Sequence, residues 1–140
     1  MKNEYVVGDW VDIFSHNFQI MRADGYRENR YYYLDSLLFG DKQFYDCDIN
    51  PIPLSIEILK ENGWKEEVMT IGTRIIDSVF IKDDIEEYGY FPIYIKVDKE
   101  FVVFPFTDGH PSKPIAYLKY VSDLQHLLFG LGLDSNLKIL

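Results

Sequence analysis

The chain has 140 residues, 47% of them hydrophobic and 26% charged, a size and composition that support a hydrophobic core without metal or disulfide staples. Its net charge of −9 repels phosphate backbones and argues against general nucleic-acid binding. A single cysteine, Cys47, excludes an intramolecular disulfide and a cysteine-based zinc site. No run reaches the roughly eighteen apolar residues of a membrane span.

Met1 to Tyr5 lacks the apolar run of a secretory signal, so a cytoplasmic location is expected. Eleven Tyr, ten Phe and two Trp favour pleated, half-buried surfaces, and the expectation is a β-rich core. Residues 5–48 read as short strands parted by polar turns. Tyr5–Val7 and Trp10–Phe14 flank Gly8-Asp9, and Phe18, Ile20 and Ala23 lead into the turn dipeptide Asp24-Gly25. Tyr31–Leu34 follows, then Leu37–Phe39 up to Gly40-Asp41. Short strands at this spacing predict a curled, barrel-like meander.

Pro51 and Pro53 hold the chain out of helix, and Ser55 stands ready as an N-cap. Leu54 and Leu59 have the spacing of a hydrophobic staple, and Gly63 ends a helix of about two turns. Strands return from Val68 to Phe106, including Arg74–Lys82 and the alternating Phe91–Val97. Asp98-Lys99-Glu100 joins the latter to Phe101–Phe104 as a hairpin. Thr107–Pro114 is a loop by composition, and Ile115–Leu118 is a short strand. A second helix is expected over Tyr120–Phe129. Its apolar stripe runs through Tyr117, Val121, Leu124, Leu128 and Leu131, widened by Leu127, with Ser122, Asp123, Gln125 and His126 on the solvated side. Leu137–Leu140 reads as a final strand. No repeat or linker interrupts the chain, which is read as a single domain, 1–140.

Two segments carry a resemblance. Asp48-Ile-Asn-Pro-Ile-Pro-Leu-Ser-Ile-Glu-Ile-Leu-Lys-Glu-Asn-Gly-Trp64 resembles a Pro-Ile-Pro-Leu-Thr, short helix, Gly-Phe pattern. Lys119-Tyr-Val-Ser-Asp-Leu-Gln-His-Leu-Leu-Phe-Gly-Leu131 resembles Val-His-Gln-Leu-Gln-Asn-Leu-Tyr-Phe-Ala-Leu, with departures at Ser122 and His126. Both patterns occur, in this order, in small proteins of phages and prophages in Bacteroides-type bacteria. The resemblance implies a cytoplasmic, phage-associated origin and carries over no functional residue.

Established catalytic signatures are missing: no phosphate-binding Gly loop, nucleophile elbow, zincin pair or Cys-x-x-Cys occurs. His110, with Asp108 and Ser112, reads as a surface turn rather than a proton-transfer or metal site. His16 and His126 lie in other elements, so no metal is expected. The run Asp83–Glu87 lacks the alternating oxygens and glycine of a calcium loop and reads as solvated. Cys47, flanked by Asp46 and Asp48, which repel a thiolate, reads as unreactive.

Arg22–Tyr33 is the densest candidate. Its guanidinium groups suit phosphates and its rings suit stacking on bases, which makes Arg22, Tyr26, Arg27, Arg30, Tyr31 and Tyr33 candidate ligand-binding residues. The competing account is a hairpin whose tyrosines pack across strands while arginine pairs with Asp24 and Glu28. The sequence therefore predicts an α+β fold, mainly antiparallel sheet with a barrel-like N-terminal part and two short helices packed on it. The function expected is a non-catalytic binding or adaptor protein of a phage or mobile element, including a counter-defence role. Its partner would be a host or phage protein or a nucleotide-like small molecule, without a cofactor, and self-association into a homo-oligomer is a further option. The alternatives are an enzyme acting on a small substrate and a minor structural protein.

Overall fold

The computed structural model describes residues 4–26, 29–71, 74–82, 93–105 and 113–139. It is α+β and mainly β: two antiparallel five-stranded sheets, the N-terminal one a curled half-barrel, and two helices. The chain divides into two units. The first comprises Met1–Pro53 and Tyr120–Ile139, and the second comprises Leu54–Lys119 together with Leu140.

In the first unit, β1 (Trp10–Ile13), β2 (His16–Asp24), β3 (Tyr31–Leu34), β4 (Phe44–Tyr45) and β5 (Asn50–Pro51) pair in the order β4-β3-β2-β1-β5. Alternation decides which side chains enter the core. In β1 and β3 every second residue is buried: Val11 and Ile13 in one, Tyr32 and Leu34 in the other. These join Tyr5, Ile20, Phe44 and Ile49 in one cluster, against which Phe18, Ala23 and Phe39 pack. A register shift in the β2–β3 ladder between Ile20 and Arg22 adds local twist to the sheet. Helix α2 (Val121–Gly130) packs on β1.

Three sequence expectations fail in this unit. Tyr5–Val7 is not a strand, because Val6 to Asp9 folds into a tight turn closed by the Asp9 amide on the Val6 carbonyl, 3.0 Å. Leu37–Phe39 is a turn and not a strand, and Leu37 and Leu38 are exposed while only Phe39 reaches the core. Leu137 to Ile139 forms no strand: Leu137 is buried, but its carbonyl accepts from the Trp10 indole rather than from a strand partner.

The second unit orders its strands β10-β9-β8-β7-β6, with β6 (Trp64–Ile71), β7 (Arg74–Lys82), β8 (Ile93–Val97), β9 (Phe101–Pro105) and β10 (Ala116–Leu118). The sequence reading of α1 (Ile56–Glu61) holds in detail. Ser55 Oγ accepts from the Ile58 amide at 3.2 Å, Leu54 and Leu59 are both buried, and Gly63 takes φ +88° beyond the helix end. The β8–β9 hairpin also forms as expected, with Val97 opposite Phe101 and Ile93 and Ile95 buried. The Leu54 amide donates to the Lys119 carbonyl at 3.0 Å, so the unit's two ends are paired with each other. The acidic run Asp83–Glu87 and the loop residues Asp108, His110 and Ser112 lie outside the described residues.

Among the described residues no helix is long and apolar enough to cross a membrane.

Candidate functional site

The first unit contains a cavity of about 640 Å³, built by three segments distant in sequence. The first is the turn Val6–Asp9. Gly8 sits at φ +94°, the left-handed region that the third position of such a turn requires, and its amide bonds the Ile20 carbonyl at 2.8 Å. The turn thereby lies against β2, where Gln19 reaches the wall.

The second segment is α2. Asp123 caps its start by accepting the Tyr120 amide at 2.9 Å, and a negative charge in the first turn suits the helix dipole. Val121, Leu124 and Leu128 point into the core, as their spacing predicts. The expected solvated side is wrong in part: Ser122 and Gln125 are buried, Gln125 to 4% exposure. Tyr117 and Leu131, placed in the apolar stripe by the sequence, are exposed. Gln125 is buried because it completes backbone groups that no strand partner serves. Its Oε1 accepts from the Trp10 amide at 2.9 Å, and its Nε2 donates to the Gly8 carbonyl at 2.8 Å and the Ser135 carbonyl at 3.3 Å.

The third segment is the C-terminal return. Leu133 donates to the Leu128 carbonyl and Gly132, at φ +73°, donates to that of Phe129, the pairing of a Schellman motif. The reversal sends Ser135 and Asn136 to the cavity wall and lets the Leu137 carbonyl accept from the Trp10 indole at 2.8 Å.

At the centre stands a carboxylate–imidazole pair. Asp9 is 2% exposed, and its Oδ2 accepts both the Val6 amide at 2.9 Å and Nε2 of His126 at 2.7 Å. Burial is the largest influence on the Asp9 carboxyl and pushes it above its ordinary range. The Val6 amide and His126 pull the other way, and the Asp123 charge adds to the rise. His126 keeps part of its ring exposed, and among the described residues no hydrogen bond reaches its Nδ1. Val6, Val7 and Phe129 supply apolar walls, with Phe129 78% exposed.

Comparison with protein-family models, curated proteins and solved structures finds no match.

The sequence-derived arginine–tyrosine stretch lies elsewhere in the unit. Arg22 pairs with Asp24 and stacks over the Tyr33 ring at 5.2 Å on the half-exposed side of the hairpin. Arg30 instead stands over the buried Tyr32 ring at 5.7 Å and donates to the Tyr5 carbonyl at 3.3 Å. Alternation along β3 sends Tyr32 and Tyr33 to opposite faces, so these two guanidinium groups do not share a pocket. Burial pushes the Tyr32 hydroxyl above its ordinary range. Tyr31 packs edge-on to Tyr33 at 5.9 Å and meets Tyr45 at 6.1 Å, and Tyr26 is exposed. Arg27 and Glu28 lie outside the described residues. Cys47 is exposed, and no group of three His, Cys, Asp or Glu among the described residues is arranged to hold a metal.

Sequence reasoning read Asp9 as a turn residue and His126 as solvated. One usable signal was present. Phe129 lies four residues beyond Gln125, which puts an aromatic ring on the nominally polar face of α2, next to two polar side chains.

Proposed function

We propose that this chain is a non-catalytic binding protein whose first unit takes a small, largely apolar molecule. The observation that carries the reading is buried Asp9, hydrogen-bonded to the partly exposed His126, at a 640 Å³ cavity with valine and phenylalanine walls. Cavities of about 300–1,000 Å³ with apolar walls and a few fixed polar groups are the usual form of small-molecule sites. In the phage-type setting that the two sequence segments imply, such a protein acts by sequestration. Among the described residues the lining carries no lysine or arginine, which favours a ligand without phosphate groups. A nucleotide-like ligand would need the arginine–tyrosine hairpin instead. The rival enzymatic reading rests on the same pair, since an imidazole oriented by a carboxylate is also how a general base is built.

The neutral probe N-phenyl-1-naphthylamine tests the cavity, because its fluorescence rises when it leaves water. Saturable enhancement is expected, lost in Phe129→Asp and Val7→Asp, which place a charge on the apolar wall. Both positions are exposed, so the variants should remain folded by circular dichroism. Absence of enhancement, or variants that bind like the wild type, would overturn the reading.

A further inference from the structure

Resting on that reading, we infer that the molecule held in the cavity is an apolar amine, its protonated nitrogen donating to Nδ1 of His126 while its hydrocarbon body lies on Val7 and Phe129. The hydrogen-bond arrangement comes first. Nε2 of His126 is committed to Asp9 at 2.7 Å, a length typical of a bond to an ionised carboxylate. A neutral imidazole with its proton on Nε2 leaves a lone pair on Nδ1, which no described residue uses. In that state the unused nitrogen of this cavity-lining residue accepts, and it calls for a ligand that donates.

Charge selects among donors. Among the described residues the lining holds one carboxylate and neither lysine nor arginine, and Asp123 lies close enough for its charge to act on Asp9. An ammonium group brought to Nδ1 would meet Asp9 across the ring and balance its buried charge. A ligand carboxylate would find no donor at an accepting Nδ1 and would add another anion beside Asp9 and Asp123. An alcohol would satisfy Nδ1 but would gain nothing from the field. The chain's net charge of −9 acts in the same direction by drawing cations toward the molecule.

Three probes of one shape separate these cases: 1-naphthylmethylamine, 1-naphthalenemethanol and 1-naphthoate, titrated calorimetrically into the full chain at low salt. The amine is expected to bind about tenfold more tightly than the alcohol, with naphthoate weakest and the amine's advantage shrinking as salt is raised. Asp9→Asn, which removes the charge, should bring the amine-to-alcohol ratio close to one while the alcohol changes little, and His126→Phe, which removes the acceptor both ligands use, should weaken amine and alcohol alike. His126 is partly exposed, so its variant keeps the test available if Asp9→Asn does not fold. Equal affinity for amine and alcohol, or naphthoate binding best, overturns the amine and leaves the cavity reading standing. No binding of any of the three overturns both.

Discussion

Nε2 of His126 and Oδ2 of Asp9 lie 2.7 Å apart although 117 positions separate the residues, and this contact ties the N-terminal turn to α2. The bond has a cost. Asp9 is almost wholly buried, and its folded pKa is raised above the ordinary value of 3.8, with burial the largest cause. Between that value and the raised one, the native state holds more protons on Asp9 than the unfolded state does. The contribution of this group to stability is thus fully present below pH 3.8 and declines as pH rises through the folded pKa. Urea denaturation of the wild type and Asp9→Asn at pH 4 and pH 7 checks the sign. The wild type should gain on the variant as the solution is acidified, and a relative loss would mean that the carboxylate is stabilised by its partners more than it is penalised by burial.

Gln125 offers a second test, because its amide closes backbone groups from two other segments at once. Gln125→Leu keeps the volume and adds apolar surface, yet leaves the Trp10 amide without its acceptor. An unsatisfied buried group costs about 1–3 kcal/mol. The Gly8 carbonyl keeps a partner in Gln19 Nε2 at 3.1 Å, so the loss should come mainly from Trp10. Chemical denaturation should show a loss of about that size, with Gln125→Glu, which keeps an acceptor for Trp10 but turns an oxygen onto the Gly8 and Ser135 carbonyls and buries a charge, affected more. A neutral Gln125→Leu would show that water replaces the side chain.

Local signals carried the fold further than they carried the site. Ser55, Gly63 and the paired prolines fix α1 through contacts a few residues long, and Asp98-Lys99-Glu100 fixes the β8–β9 hairpin in the same way. The period-two burial of β3 and the 3.6-residue spacing of Val121, Leu124 and Leu128 were equally legible. Reading failed where a polar side chain replaced a strand partner. Gln125 looks solvated by its chemistry, and its burial follows only from the Val6–Asp9 turn, whose backbone it completes. Leu37 and Leu38 look like strand residues by their apolarity, but the chain turns there and leaves both outside the core. The Asp9–His126 pair depends on a fold-level meeting of two distant segments, which no spacing in the sequence encodes.

Arg22 and Arg30 are near neighbours in sequence but occupy different environments, and their variants should separate. Arg22 sits on the half-exposed side, pairing with Asp24 and covering Tyr33. Exposed ion pairs of this kind contribute little, so Arg22→Ala should change stability by no more than about 0.5 kcal/mol. Arg30 bonds the Tyr5 carbonyl and stands over the buried Tyr32 ring, joining the N-terminal segment to β3. Its removal deletes a charge-assisted hydrogen bond and a cation–π contact, and Arg30→Ala should cost about 1–2 kcal/mol. Thermal denaturation of the two variants measures the difference, and equal losses would contradict it. The same pair of variants decides whether the hairpin binds phosphate. A ligand gripped by both guanidinium groups would raise the melting temperature of the wild type, because it binds only the folded state, and would raise that of neither variant. With the two groups on opposite faces of β3, a panel of mono-, di- and cyclic nucleotides is expected to produce no such joint dependence. A nucleotide that did so would move the ligand site from the cavity to the hairpin.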